Sequence, residues 1–148
     1  MAADVLLVAD DDLNDALFLE RALRRAGSCF RMVHVASGDE LIDYVQGRGA
    51  YTDRVLHPLP KIVLLDLKMP RKDGFAVLSW RKELPFGYRL PVVVFSSSSL
   101  QQDIDRAYSL GANSYVVKPT APDRLGSMVA ALHEWWGNFN ETIELNPA

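Results

Sequence analysis

Five short runs rich in Val, Ile and Leu recur along the chain, and segments of helical period lie between them. The runs are VLLVA (Val5 to Ala9), RMVHVA (Arg31 to Ala36), KIVLLD (Lys61 to Asp66), PVVVFS (Pro91 to Ser96) and SYVVK (Ser114 to Lys118). The first, third and fourth are continuous rather than alternating, as expected of strands covered on both faces. The segment from Leu13 to Gly27 spaces Leu13, Ala16, Leu17, Leu23 and Ala26 near the helical period and stops at Gly27. Ser37 opens a second helical segment as an N-cap, and three further segments begin near Phe75, Leu100 and Ala121. Strand alternating with helix in this way predicts an α/β domain, a parallel sheet with helices on both faces.

Two stretches break the rhythm. Gly47 to Lys61 forms a connection of 15 residues with Gly, Pro and mixed polarity, a length more often functional or mobile than a plain link. After Trp136 the chain leaves the last helix, so residues 1–136 read as one domain and 137–148 as a C-terminal extension. Within the extension, ETIEL alternates like an edge strand.

A net charge of -3 with no basic block argues against binding nucleic acid by neutralising phosphates. Cys29 is the single cysteine, which excludes an internal disulfide and a thiolate zinc cluster and suits a reducing cytoplasm. No stretch approaches the roughly 20 apolar residues that span a bilayer. The expectation is a cytoplasmic protein without a membrane partner. His34, His57 and His133 share no spacing and are expected to be structural or solvent-facing, Cys29 a small apolar residue, and at least one of Trp135 and Trp136 packed.

The chemistry lies at the strand ends. The first run stops against Asp10, Asp11 and Asp12, the third ends at Asp66, the fourth at Ser96 and the fifth at Lys118. Adjacent carboxylates raise one another's pKa unless something positive sits among them. In a doubly wound sheet, ligands bind outside the carboxyl ends of the strands, so all six residues belong to one edge. Carboxylates with room for water and phosphate oxygens suit Mg²⁺. Asp66 then reads as a nucleophile able to form an acyl phosphate, with Lys118 and Ser96 placed to meet the moving phosphoryl group. Asp73 and Gly74 read as turn chemistry, with Gly74 supplying a positive φ.

These motifs resemble the receiver domain of bacterial two-component response regulators over about Val5 to Leu132. The likeness rests on VADDD, on LLDLKMPRKDG around Asp66, on PVVVFSSSS with Ser96, and on LGANSYVVKP with Lys118, which stands 22 residues beyond Ser96. It implies a flavodoxin-like five-stranded sheet of order 2-1-3-4-5. It also implies that Asp10 and Asp11 hold Mg²⁺, that Asp66 accepts the phosphoryl group, and that the backbone carbonyl of Lys68 is a further ligand. Ser96 then matches the switch hydroxyl, and Tyr115 the aromatic that follows it. Asp12 is additional and is expected at the start of the first helix. A narrower likeness, carried by Asp15, the long connection, and the EWW and ETIEL ending, is to stand-alone receivers paired with phytochrome-type sensor kinases. The implied partners are a sensor histidine kinase and, for some such receivers, a second copy through the later helices and the extension.

Two other readings stay open on the residues alone. An aspartyl-phosphate hydrolase of haloacid dehalogenase type also combines a strand-end Asp, a hydroxyl, a Lys and Mg²⁺, but generally needs an acid where Lys68 stands. A receiver-like interaction module that never takes phosphate fits the fold but leaves the intact set of Asp10, Asp11, Asp66, Ser96 and Lys118 unexplained.

Overall fold

The computed structural model describes residues 3–143 and 145. Five strands, β1 (Val5–Ala9), β2 (Arg31–Val35), β3 (Ile62–Leu65), β4 (Val92–Ser96) and β5 (Ser114–Val117), form one parallel sheet of order β2-β1-β3-β4-β5. Five helices alternate with them: α1 (Leu13–Arg25), α2 (Gly38–Gln46), α3 (Gly74–Glu83), α4 (Gln101–Ser109) and α5 (Pro122–Leu132). Strand side chains alternate between faces, and β1 divides accordingly. Val5, Leu7 and Ala9 join the core under α2, α3 and α4, whereas Leu6 and Val8 join the core under α1 and α5. Both faces are dry, which is why β1, β3 and β4 up to Phe95 are apolar without interruption.

The helix signals operate as read, with one change of face. Asp12 caps α1 by accepting from Asn14 N and Asp15 N, and Ser37 caps α2 through Glu40 N. Gly27 lies just past α1 at φ 65°, where Gly27 N and Ser28 N close onto the carbonyls of Arg24 and Leu23. The buried face of α1 is Ala16, Leu19, Ala22 and Leu23, while Leu13 and Leu17 face outward. Leu13 and Leu17 lie to one side of the stripe that Ala16, Leu19 and Leu23 form at i, i+3 and i+7.

The long connection is a built structure. It contains a 3-10 turn at Gly49–Tyr51, and Arg54 Nη1 donates to Tyr44 O at 2.8 Å, satisfying a carbonyl at the end of α2. The rings of Tyr44, Tyr51 and His57 pack at centroid separations between 4.9 and 6.0 Å. Beyond α5 the backbone continues as a π-helix, His133–Phe139, so helical structure runs past Trp136. Trp136 packs against the α1/α5 core, whereas Trp135 is exposed. Cys29 is exposed rather than buried, with Sγ 3.9 Å from His133 Nδ1. Glu141 to Ile143 form no strand, Glu144 lies outside the described residues, and Leu145 packs against the opposite core. The alternation in ETIEL thus serves a packed side chain and not, in its described residues, a sheet edge. Among the described residues, no helix is long and apolar enough to cross a membrane.

Candidate functional site

The sheet's hydrogen-bond ladder extends one residue beyond three of its strand ends, and each extra residue is charged. Asp10 N donates to Val35 O at 3.0 Å, Asp66 N to Ala9 O at 2.9 Å, and Lys118 N to Ser96 O at 2.7 Å. The backbone amides of Asp10, Asp66 and Lys118 are therefore fixed to the neighbouring strands. Asp10 and Asp66 are buried, while Asp11, the next residue along, is exposed at the rim.

Their side chains meet. Lys118 Nζ lies 2.7 Å from Asp10 Oδ2 and 3.0 Å from Asp66 Oδ2, with 12% of the lysine side chain exposed. The remaining oxygens are oriented by backbone donors: Asp12 N to Asp10 Oδ1 at 2.9 Å and Lys68 N to Asp66 Oδ1 at 3.3 Å. Asp10, Asp11 and Asp66 each present a carboxylate oxygen within 4.8 Å of the others. Burial lifts the Asp10 carboxyl to about 6, against the opposing pull of the Lys118 ammonium and the Asp12 N–H. Burial also opposes the charge on Lys118, but its bonds to carboxylates outweigh that and hold its pKa above the ordinary lysine value. One ammonium does not balance these acids. The donor set, all hard oxygens in a small volume with one carboxylate at an open rim, fits a divalent cation of the oxygen-preferring kind.

Ser96 and Tyr115 stand beside this cluster and not within it. Ser96 is buried at the end of β4, where its Oγ accepts from Ser98 N at 3.2 Å. Tyr115 OH donates to Ser98 O at 2.8 Å, and Ser98 Oγ donates to Asp103 Oδ2 at 2.6 Å in the first turn of α4. The loop after β4 is thus tied to β5 on one side and to α4 on the other. An open cleft of about 580 Å³ lies in front, lined by Asp11, Lys68, Ser98 and Asp103 among others.

Two contacts escape sequence reasoning. Asp15 Oδ2 lies 2.8 Å from Lys118 Nζ, and His34 Nε2 lies 2.7 Å from the Asp10 carbonyl oxygen. The first was open to derivation: with Asp12 as N-cap, Asp15 falls in the first turn of α1, at the same sheet edge as Lys118. Gly74 also differs from expectation. It is not at positive φ but is the first residue of α3, capped by Asp73 through Ala76 N. A glycine is needed there because a Cβ would stand 2.5 Å from the Asp66 carbonyl oxygen.

Comparison with known proteins agrees with this geometry. The family model described as the response regulator receiver domain matches residues 5–130. Response regulator Rcp1 of Synechocystis is 30% identical over 97% of this chain and 94% of its own. The same fold appears in response regulator RPA3017 in red light signaling of R. palustris, with a TM-score of 0.91 and 34% identity over 96% of this chain and 99% of that one. It appears again in the phosphorylated cyanobacterial phytochrome response regulator RcpA, with a TM-score of 0.87 and 30% identity over 97% and 100% of the two chains. Rcp1 itself has a structure in an Mn²⁺-bound form, at a TM-score of 0.84 and 28% identity over 95% of this chain and 99% of that one. With a family match across all five strands and an acidic cluster bridged by a lysine at the sheet's edge, this chain belongs to the response regulator receiver domains, a family of signalling modules.

Proposed function

We propose that the protein is a phosphoryl-accepting switch that takes its phosphoryl group on Asp66 from a sensor histidine kinase. The observation that carries this reading is the convergence of Asp10, Asp11, Asp66 and Lys118: acids close enough to share a cation, with an ammonium already on the proposed acceptor. The Asp66 carboxylate is held at both oxygens, Oδ1 by Lys68 N and Oδ2 by Lys118 Nζ, which supports its reading as the acceptor. An Asp66 oxygen forms a bond to phosphorus as the phosphorus–nitrogen bond of a phosphohistidine breaks. The bonding pair stays on the ring nitrogen, which departs as neutral imidazole when the ring's other nitrogen carries a proton. Lys118 meets the charge on the phosphoryl oxygens.

Asp10, Asp11, Asp66 and the backbone carbonyl of Lys68 are the proposed holders of Mg²⁺. When bound, Mg²⁺ neutralises carboxylate and phosphoryl charge so that the two can approach. The new phosphoryl group then offers an acceptor to the Ser96 O–H, and the turn of Ser96 toward it draws Oγ away from the Ser98 N–H, from which it now accepts. That exchange loosens the Ser98 loop, to which Tyr115 and Asp103 are both tied. Differential contacts with the two states drive the switch, and the readout is a changed surface around α4 and β5. The likeness to RcpA, a phytochrome response regulator, supports a phytochrome-type kinase as the donor, and a second copy of the chain is proposed as one output. Residues 1–136 are proposed to carry the switch and 137–148 to extend it, in a cytoplasmic setting.

The test is phosphorylation by acetyl phosphate with Mg²⁺, read as intact mass and hydrodynamic size. The wild type should gain one phosphoryl group only when Mg²⁺ is present, and Asp66→Asn should gain none. Persistent labelling of Asp66→Asn would refute the acceptor assignment.

A further inference from the structure

The Lys118 ammonium has three N–H donors, and three carboxylates take them: Asp10 at 2.7 Å, Asp15 at 2.8 Å and Asp66 at 3.0 Å. Asp15 differs from the other two because it does not belong to the group of acids that converge within cation-binding distance. It comes from α1, whereas Asp10 and Asp66 come from the sheet.

How Asp15 is released for this contact is visible in the helix cap. Asp12 is the N-cap of α1 and Asp15 the third helical residue, the position from which an acid ordinarily reaches back to the N-cap N–H. Here the Asp12 N–H is already taken by Asp10 Oδ1. The Asp15 carboxylate turns instead to Lys118, while its own backbone N–H is held by Asp12 Oδ1 at 3.3 Å. The capping arrangement thus fixes the backbone of Asp15 and leaves its side chain to the lysine.

We infer that Asp15 is a positioning residue that aims Lys118 at the phosphoryl group; this rests on the acceptor reading of Asp66. Once Asp66 is phosphorylated, its oxygen no longer carries the charge that draws the third lysine donor. Asp10 and Asp15 keep the other two donors from two different directions, so the third stays aimed at the same place, where a phosphoryl oxygen now stands. With Asp10 alone, the long lysine side chain pivots about a single contact and the aim is lost. Pre-aimed charge of this kind acts on the rate of transfer rather than on cation affinity.

The experiment compares wild type, Asp15→Ala, Asp15→Asn and Asp66→Asn. In the metal-free proteins, the reaction of Lys118 with an amine-selective acylating reagent, located by peptide mass mapping, should be several-fold faster in Asp15→Ala, with Asp15→Asn between. At saturating Mg²⁺ and acetyl phosphate, the phosphorylation rate constant should fall about tenfold in Asp15→Ala. Asp15→Asn, which retains an acceptor oxygen, should recover most of it, and the Mg²⁺ dissociation constant should stay within about threefold of wild type in both. An unlabelled wild type overturns the Asp66 assignment and this inference with it. A labelled wild type with unslowed Asp15→Ala, a loss confined to Mg²⁺ affinity, or unchanged Lys118 reactivity overturns this inference alone.

Discussion

Gly74 and Asp66 are in backbone contact: a Cβ on Gly74 would stand 2.5 Å from the Asp66 carbonyl oxygen and 2.7 Å from Leu67 Cα. Neither neighbour is the yielding end of a side chain. The start of α3 is thereby pressed against the residue that carries the proposed chemistry, and Gly74 N seals the approach with a 2.9 Å bond to Leu67 O.

Gly74→Ala should therefore cost about 1–3 kcal/mol of stability through overpacking. It should also slow phosphorylation, because relief requires the Asp66–Leu67 backbone to shift. Urea unfolding and the acetyl phosphate rate measure the two effects. A variant of wild-type stability and rate would mean that α3 moves away at no cost.

Asp10 sets a pH limit on cation binding. Its carboxyl stands at about 6 in the folded protein against an ordinary 3.8, so the folded chain holds more proton between those values than the unfolded chain. For this group the sign follows: the metal-free protein loses stability as pH rises through about 6. A divalent cation must displace the same proton, so Mg²⁺ affinity should hold steady above about pH 7 and fall toward tenfold per pH unit below about 6. Mg²⁺ titrations followed by tryptophan fluorescence across this range test the slope. Unchanged affinity at about pH 5 would exclude Asp10 as a ligand.

Arg81 should behave as a structural tie independent of the site. Its guanidinium is buried and donates to Leu90 O at 2.8 Å, Gly111 O at 2.7 Å and Asn113 Oδ1 at 3.0 Å, joining α3 to the entries of β4 and β5. A lysine offers no planar fork to meet all three. Arg81→Lys should lose about 2–3 kcal/mol, as expected for bonds to a charged donor left unmade in the interior. Mg²⁺ affinity should be unchanged, since these contacts lie at the opposite end of the sheet from Asp10 and Asp66.

Ser98→Ala removes the 2.6 Å bond to Asp103 and with it one tie between the loop after β4 and α4. Amide exchange over residues 100–104 should quicken about tenfold, consistent with a bond to a charged group contributing about 1.5–3 kcal/mol locally. Exchange in β4 itself should not change, because Val92 to Ser96 stay within the ladder. Acceleration spread through β4 would show that the loop and strand open as one unit.

The sheet and the acid cluster were legible in the sequence for the same reason. Uninterrupted Val, Ile and Leu runs demand cover on both faces, and the parallel arrangement that supplies it sends Asp10, Asp66 and Lys118 to one edge. What eluded reading depends on three-dimensional juxtaposition without a periodic signal. The outward turn of Leu13 and Leu17 shows only once the stripe of Ala16, Leu19 and Leu23 is seen to face the core. The role of Gly74 depends on how closely α3 approaches β3, and a positive φ was inferred only because glycine so often serves that purpose. The packing of Tyr44, Tyr51, His57 and Arg54 in the long connection likewise has no linear pattern.

Three backbone amides, those of Asp10, Asp66 and Lys118, remain zipped into the sheet beyond its last strand residues. A chemical event on Asp66 meets an unyielding floor there, and its mechanical consequence must travel sideways. The stretch from Ser97 to Leu100, which lies in no strand or helix, is the neighbour held by side-chain ties instead of a ladder. Stiffness in one place thus selects where the protein is able to move.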